Sequence, residues 1–175
     1  MKKLVSIIAA ALVLGSLCAC GVEKVTISGS TEKPSAVVEQ ATEESYVFKV
    51  DGVSIAMGQD ISEFMDSLQG NLGSFDEPSC ASDGIDKVYF FKSYQICCFP
   101  DGDNYYVYSV TLQDDTVSTA EGLCIGDSVS KITELYGDEP DIDGVNYSYQ
   151  KGNSQLLITV EEEKVTAINY FVILG

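Results

Sequence analysis

The chain has 175 residues, ten lysines against 27 acids, and neither arginine nor histidine, for a formal charge of −17. That length allows one domain or two small fused halves, and the charge excludes a nucleic-acid binder, since little on the surface replaces phosphate counterions. Without histidine the commonest general base and metal ligand is absent, so catalysis would fall to paired carboxylates.

The N-terminus carries Lys2 and Lys3, an apolar run from Leu4 to Leu17, and then Leu17-Cys18-Ala19-Cys20-Gly21. This is the layout of a bacterial secretory signal, and its apolar run is too short to span a bilayer comfortably. Its end, Leu17-Cys18-Ala19-Cys20, resembles the lipobox of the lipoprotein signal family. The resemblance implies removal of residues 1–19, Cys18 included, and a diacylglyceryl group on Cys20. Loss of Lys2 and Lys3 would leave a mature chain of charge −19. Residues 20–45, rich in Ser, Thr, Glu and Lys with Pro34, cannot bury enough to order themselves and are expected to form a tether.

The folded unit is expected over residues 46–175. Tyr46 to Val50 alternates, and Asp51-Gly52 offers a tight turn into Val53-Ser54-Ile55. A helix is predicted from Asp60 to Leu68, with Ile61, Phe64, Met65 and Leu68 on one face. A loop from Asn71 to Lys87 contains Cys80. Three strands follow between Val88 and Leu112, as an antiparallel meander. A second helix is predicted from about Ser128 to Tyr136, opened by Asp127 and stopped by Gly137. After a loop from Asp138 to Gly144, three more strands run between Val145 and Leu174.

The two helix starts match at an offset of 68 residues, Gly126 with Gly58, Val129 with Ile61, Ser130 with Ser62 and Ile132 with Phe64. The closing strands match at 58, Val107, Val110 and Leu112 answering Val165, Ile168 and Tyr170. The expected fold class is therefore α+β. Two tandem helix-loop-three-strand repeats, about 53–115 and 121–175, would form one antiparallel sheet with both helices on one face. A lipobox followed by tandem repeats with the Ile125-Gly126-Asp127-Ser128 turn resembles the beta-lactamase-inhibitor-protein-like superfamily and, more distantly, the small lipoproteins of outer-membrane assembly. In that superfamily the resemblance implies a bridge from the loop after the helix to the sheet, here Cys80 with Cys97 or Cys98. The second repeat has no cysteine in its loop and departs from that pattern.

Export permits disulfides, yet Cys97 and Cys98, as strand neighbours, point to opposite faces and cannot readily serve one partner. Cys124 aligns with Ala56 and is expected as a small core residue. No metal site is expected, because there is no C-x-x-C and no histidine, and no cofactor is implied. Glu139-Pro140-Asp141-Ile142-Asp143-Gly144 starts like a calcium loop, but its twelfth position is Gln150, which gives no bidentate carboxylate.

Ten tyrosines and seven phenylalanines concentrate in the strands. Strict alternation assigns Tyr106, Tyr108, Val110 and Leu112 to the core with Thr166, Ile168, Tyr170 and Val172. It leaves Tyr105, Val107, Ser109 and Thr111 with Val165, Ala167, Asn169 and Phe171 on an open face. A binding surface is accordingly expected from Tyr89, Phe91, Tyr105, Ser109, Tyr147, Tyr149, Asn169 and Phe171, since tyrosine gives large rigid contacts. The functional expectation is a non-enzymatic, lipid-anchored extracytoplasmic protein that binds an envelope or extracellular protein or peptide and touches the membrane only through its lipid. A glycan-binding or carboxylate-based hydrolytic wall protein is the alternative, and a structural envelope subunit a third.

Overall fold

Two small antiparallel systems of strands, one of two and one of eight, account for nearly all regular structure in the computed structural model, which describes residues 45–79 and 83–174. The leader, Cys20, most of the tether and Cys80 lie outside the described residues. Strands β1 (Val47–Val50) and β2 (Val53–Ala56) form a hairpin. Asp51 and Gly52 turn it with φ of 52° and 80°, the left-handed pair that matches strand twist. The large sheet holds β3 (Gly73–Pro78), β4 (Ile85–Phe90), β5 (Tyr94–Asp101), β6 (Asn104–Leu112), β7 (Asp141–Asp143), β8 (Asn146–Lys151), β9 (Ser154–Glu161) and β10 (Lys164–Val172). Its order is β3-β4-β5-β6-β10-β9-β8-β7, all antiparallel, so two meanders meet at β6 and β10.

The fold is thus mostly β, which corrects the expected α+β class of helix-and-three-strand repeats. Only the second predicted helix forms, as α1 (Val129–Tyr136). The segment from Asp60 to Leu68 becomes two single 3₁₀ turns, Ile61–Glu63 and Met65–Ser67, broken at Phe64 with φ −137°. Nine residues containing Ser62, Asp66 and Ser67 are too short and too poor in helix formers to propagate. Asp60 still caps the start, its Oδ1 accepting from the Ser62 N–H at 2.9 Å and the Ser62 Oγ at 2.7 Å. Because 3₁₀ geometry stacks residues three apart, Ile61 with Phe64 and Met65 with Leu68 still face the sheet. The two predicted loops also change, since β3 lies in one and β7 in the other.

β6 and β10 pair only from Ser109 to Leu112 and from Ile168 to Phe171. Beyond that short seam each is bulged, β6 between its partners Cys97 and Cys98 and β10 between Val165 and Ala167. A turn fills the gap each strand leaves. Gly58 N–H donates to Val107 O at 2.8 Å and Val107 N–H to Gln59 O at 2.9 Å. In the same way Gly126 N–H donates to Val165 O at 2.8 Å and Val165 N–H to Asp127 O at 2.9 Å. The two glycine turns that open the matched segments therefore act as backbone clasps on two central valines.

Asp127 locks the second clasp and does not cap the helix, since Ser128 occupies the N-cap. Its Oδ2 accepts from the Cys124 N–H at 2.7 Å and from Lys131 Nζ at 2.8 Å. The Lys131 hydrogen bond, and then the Cys124 amide, hold the Asp127 carboxyl below its ordinary range against the opposing effect of burial. A lowered carboxyl adds stability above its ordinary value and loses it as pH falls through its folded value. The site is partly exposed, so Asp127→Ala should cost about 1 kcal/mol near neutrality. Urea denaturation should show that difference shrinking below the ordinary carboxyl range; a gap unchanged at acid pH contradicts this role.

A single core lies between one face of the sheet and the elements laid over it. Tyr94, Ile96, Val110, Leu112, Leu156, Ile158, Ile168 and Tyr170 pack there against Phe48 and Ile55 of the hairpin, Phe64, Leu123, and Ile132 of α1. The Phe48 ring sits 5.1 Å from Tyr94 and 6.0 Å from Tyr170. Gly137, with φ 89°, ends α1, and its carbonyl accepts from the Tyr149 hydroxyl at 3.0 Å.

Candidate functional site: the outer face of the sheet

The eight strands have a second face, opposite the core. Register lines its side chains into rows that cross the strands. One row runs Phe75, Val88, Cys97, Ser109, Phe171, Gln155, Gln150; the next runs Gly73, Phe90, Gln95, Thr111, Asn169, Leu157, Ser148, Asp141. The hairpin's Phe48 packs on Tyr94 and Tyr170, and Tyr136 of α1 on Tyr149, all on the core side of the sheet.

Aromatic rings run over one half of it. Phe75 stacks on Phe90 at 5.3 Å across β3 and β4. Phe99 meets Tyr106 at 6.0 Å and Tyr108 at 6.5 Å, and Tyr108 meets Phe171 edge-on at 6.1 Å. Phe99 is buried and Tyr106, Tyr108 and Phe171 are half-buried, with Tyr106 and Tyr108 packed against the core, so the run leads from the core's margin toward solvent. The other half is polar, with Gln155 Nε2 donating to Ser148 Oγ at 2.6 Å and Thr159 Oγ1 to Asn146 Oδ1 at 2.9 Å. Rigid rings beside amide and hydroxyl groups are the composition of a recognition surface with low ordering cost.

Of the eight residues expected to bind, the structure brings Ser109, Asn169 and Phe171 together here, with Ser109 directly opposite Phe171. The other five stand on the core side. Phe91 is buried, stacked on Tyr94 at 4.4 Å. Tyr149 is buried against Leu156, and Tyr147 is half-buried opposite Ile158. Tyr89 pairs with Ile96, and Tyr105 lies half-buried under Lys87 Nζ, 4.7 Å from its ring centroid. The bulges also exchange positions that strict alternation fixes: Val107 and Val165 are core, Thr166 is exposed, and Tyr106 and Tyr108 join the outer rings.

The thiols separate as strand alternation requires. Cys98 is fully buried on the core side, where burial drives its thiol well above the ordinary range and makes it inert. Cys97 is half-buried in the outer row, and Cys124 is half-buried, not a full core residue. Among the described residues no three of His, Cys, Asp and Glu are grouped to hold a metal ion. Asp114 and Asp127 are both held below the ordinary carboxyl range, Asp114 chiefly by Thr116, which suits structural acceptors and not a general acid.

Compared with known proteins, the chain matches no family model, no curated protein and no solved structure.

Proposed function

We propose that this chain is a lipid-anchored, extracytoplasmic binding protein that holds a protein or peptide partner on the outer face of its eight-stranded sheet. One observation carries the reading: the chain of rings from Phe99 through Tyr108 to Phe171 runs along the sheet face opposite the one on which the hairpin and α1 pack. Half-buried aromatic side chains on a rigid sheet supply contact area at little entropic cost, which is why such residues dominate binding energy in protein interfaces. The lysine-flanked leader and the lipobox ending at Cys20 support the anchored location. No helix among the described residues is long and apolar enough to cross a membrane.

Two experiments test the two parts. Labelled palmitate should enter the wild-type chain and be lost from Cys20→Ala; equal label in both refutes the anchor. Purification of the tagged chain from its native envelope should recover one partner in stoichiometric amount. That partner should disappear with Tyr108→Ala/Phe171→Ala and persist with Thr133→Ala on α1. Recovery indifferent to the ring substitutions refutes the face.

A further inference from the structure

Glu77 and Asp86 stand directly opposite each other on β3 and β4, on the same outer face as Phe75 and Val88. Like charges paired across strands destabilise a sheet, and burial removes the water that would screen them. Asp86 is only 4% exposed, and its Oδ1 has no hydrogen-bond partner. Neither of the two rows that cross the strands holds a lysine, and by register Lys164, paired with Glu161 at the end of the β9–β10 ladder, falls on this side. Lys87, the neighbour of Asp86, points to the core side over Tyr105, and Lys151 lies over the Tyr46 ring. At the far edge, Asp141 and Asp143 on β7 are exposed acids as well. The outer face is therefore aromatic at its centre, acidic at both margins, and holds a buried carboxylate oxygen without a hydrogen-bond partner.

We infer that the outer face takes an extended basic segment of a protein, whose lysines or arginines reach the Glu77–Asp86 pair while its apolar side chains lie on Tyr108 and Phe171. This rests on the outer-face reading and adds the chemistry of the occupant. A cation at the partly exposed Glu77 carboxylate would offset its repulsion with the buried Asp86 and form a charge-assisted bond stronger than a neutral one. The overall charge of −17 would draw such a segment in from a distance, with an on-rate that falls as salt screens it.

Three twelve-residue amide peptides serve as probes against the full-length chain in detergent: (Lys-Tyr-Ser)₄, (Glu-Tyr-Ser)₄ and (Lys-Gly-Ser)₄. The inference expects (Lys-Tyr-Ser)₄ to bind, at least tenfold tighter than either other peptide. Glu77→Gln/Asp86→Asn should weaken it at least tenfold, and Glu77→Gln alone, at a partly exposed position that folding tolerates, severalfold. Glu134→Gln/Asp138→Asn makes the same charge change on the α1 side and should alter binding less than twofold. Equal losses in the two charge variants, or no binding of (Lys-Tyr-Ser)₄ at low salt, overturn the inference. If (Glu-Tyr-Ser)₄ binds as tightly and needs Phe171, the basic occupant is refuted while the outer-face reading stands. If Tyr108→Ala/Phe171→Ala leaves every peptide unaffected, both are refuted.

Discussion

Phe48→Ala is expected to lower stability by about 3–5 kcal/mol, the loss typical of a buried phenylalanine that leaves a cavity. The β1–β2 hairpin shares no ladder with the large sheet, and a two-stranded hairpin is marginal by itself. The Tyr46 N–H donates to Ser154 Oγ at 2.7 Å at its start, and beyond that side-chain packing holds it in place, with Phe48 fully buried against Tyr94 and Tyr170. Ile55 and Met57, also fully buried, belong to the same core cluster. Urea denaturation should show a lower midpoint, and a smaller slope as well if the hairpin is released before the sheet. A loss below about 1 kcal/mol would mean that the hairpin is not docked by this ring.

The second large effect is on binding. Tyr108→Ala/Phe171→Ala should weaken the partner complex on the order of 100-fold, because aromatic anchors at an interface centre are each worth about 2 kcal/mol or more. The rings touch edge-on, so the double substitution should fall short of the sum of the singles. Both side chains are half-buried, and their removal should cost about 1–2 kcal/mol of stability, under the Phe48 effect. Affinity and denaturation measured on the same samples separate the two consequences. A stability loss as large as that of Phe48→Ala would place these rings in the core and not on a binding face.

Much of the fold was legible in the residues, and the failures have identifiable physical causes. Asp51-Gly52, the existence of β4 to β6 and β8 to β10 as strands, and the helix ending at Gly137 read correctly because local chemistry and tertiary packing agree there. Asp127, read as the helix opener, locks the turn on Val165 instead. The edge strands were hidden. β3 reads Gly-Ser-Phe-Asp-Glu-Pro and β7 Asp-Ile-Asp, and edges carry acids and proline to block further pairing, which are also the marks of a loop. The first helix failed because a threefold apolar spacing serves a 3₁₀ turn as well as an α-helix.

The candidate face was legible only in part. Strict alternation placed Ser109, Asn169 and Phe171 on the outer side, but the bulges reversed Val107, Val165 and their neighbours. A trace of those bulges was present. Val107 with Val110, and Val165 with Ile168, are apolar pairs three apart in strands that otherwise repeat every two, which requires one extra residue between them. Tyr89, Phe91, Tyr147 and Tyr149 lie on strands whose facing depends on pairing with distant partners, information that no local pattern carries.

The outer face is tested most directly by a photo-reactive amino acid placed in intact cells at Thr111, in the middle of that face, and in parallel at Thr133 on the exposed side of α1. Irradiation should join position 111 to one discrete partner and leave position 133 without that adduct. The same adduct from both positions, or from position 133 alone, would contradict the assignment of function to this face.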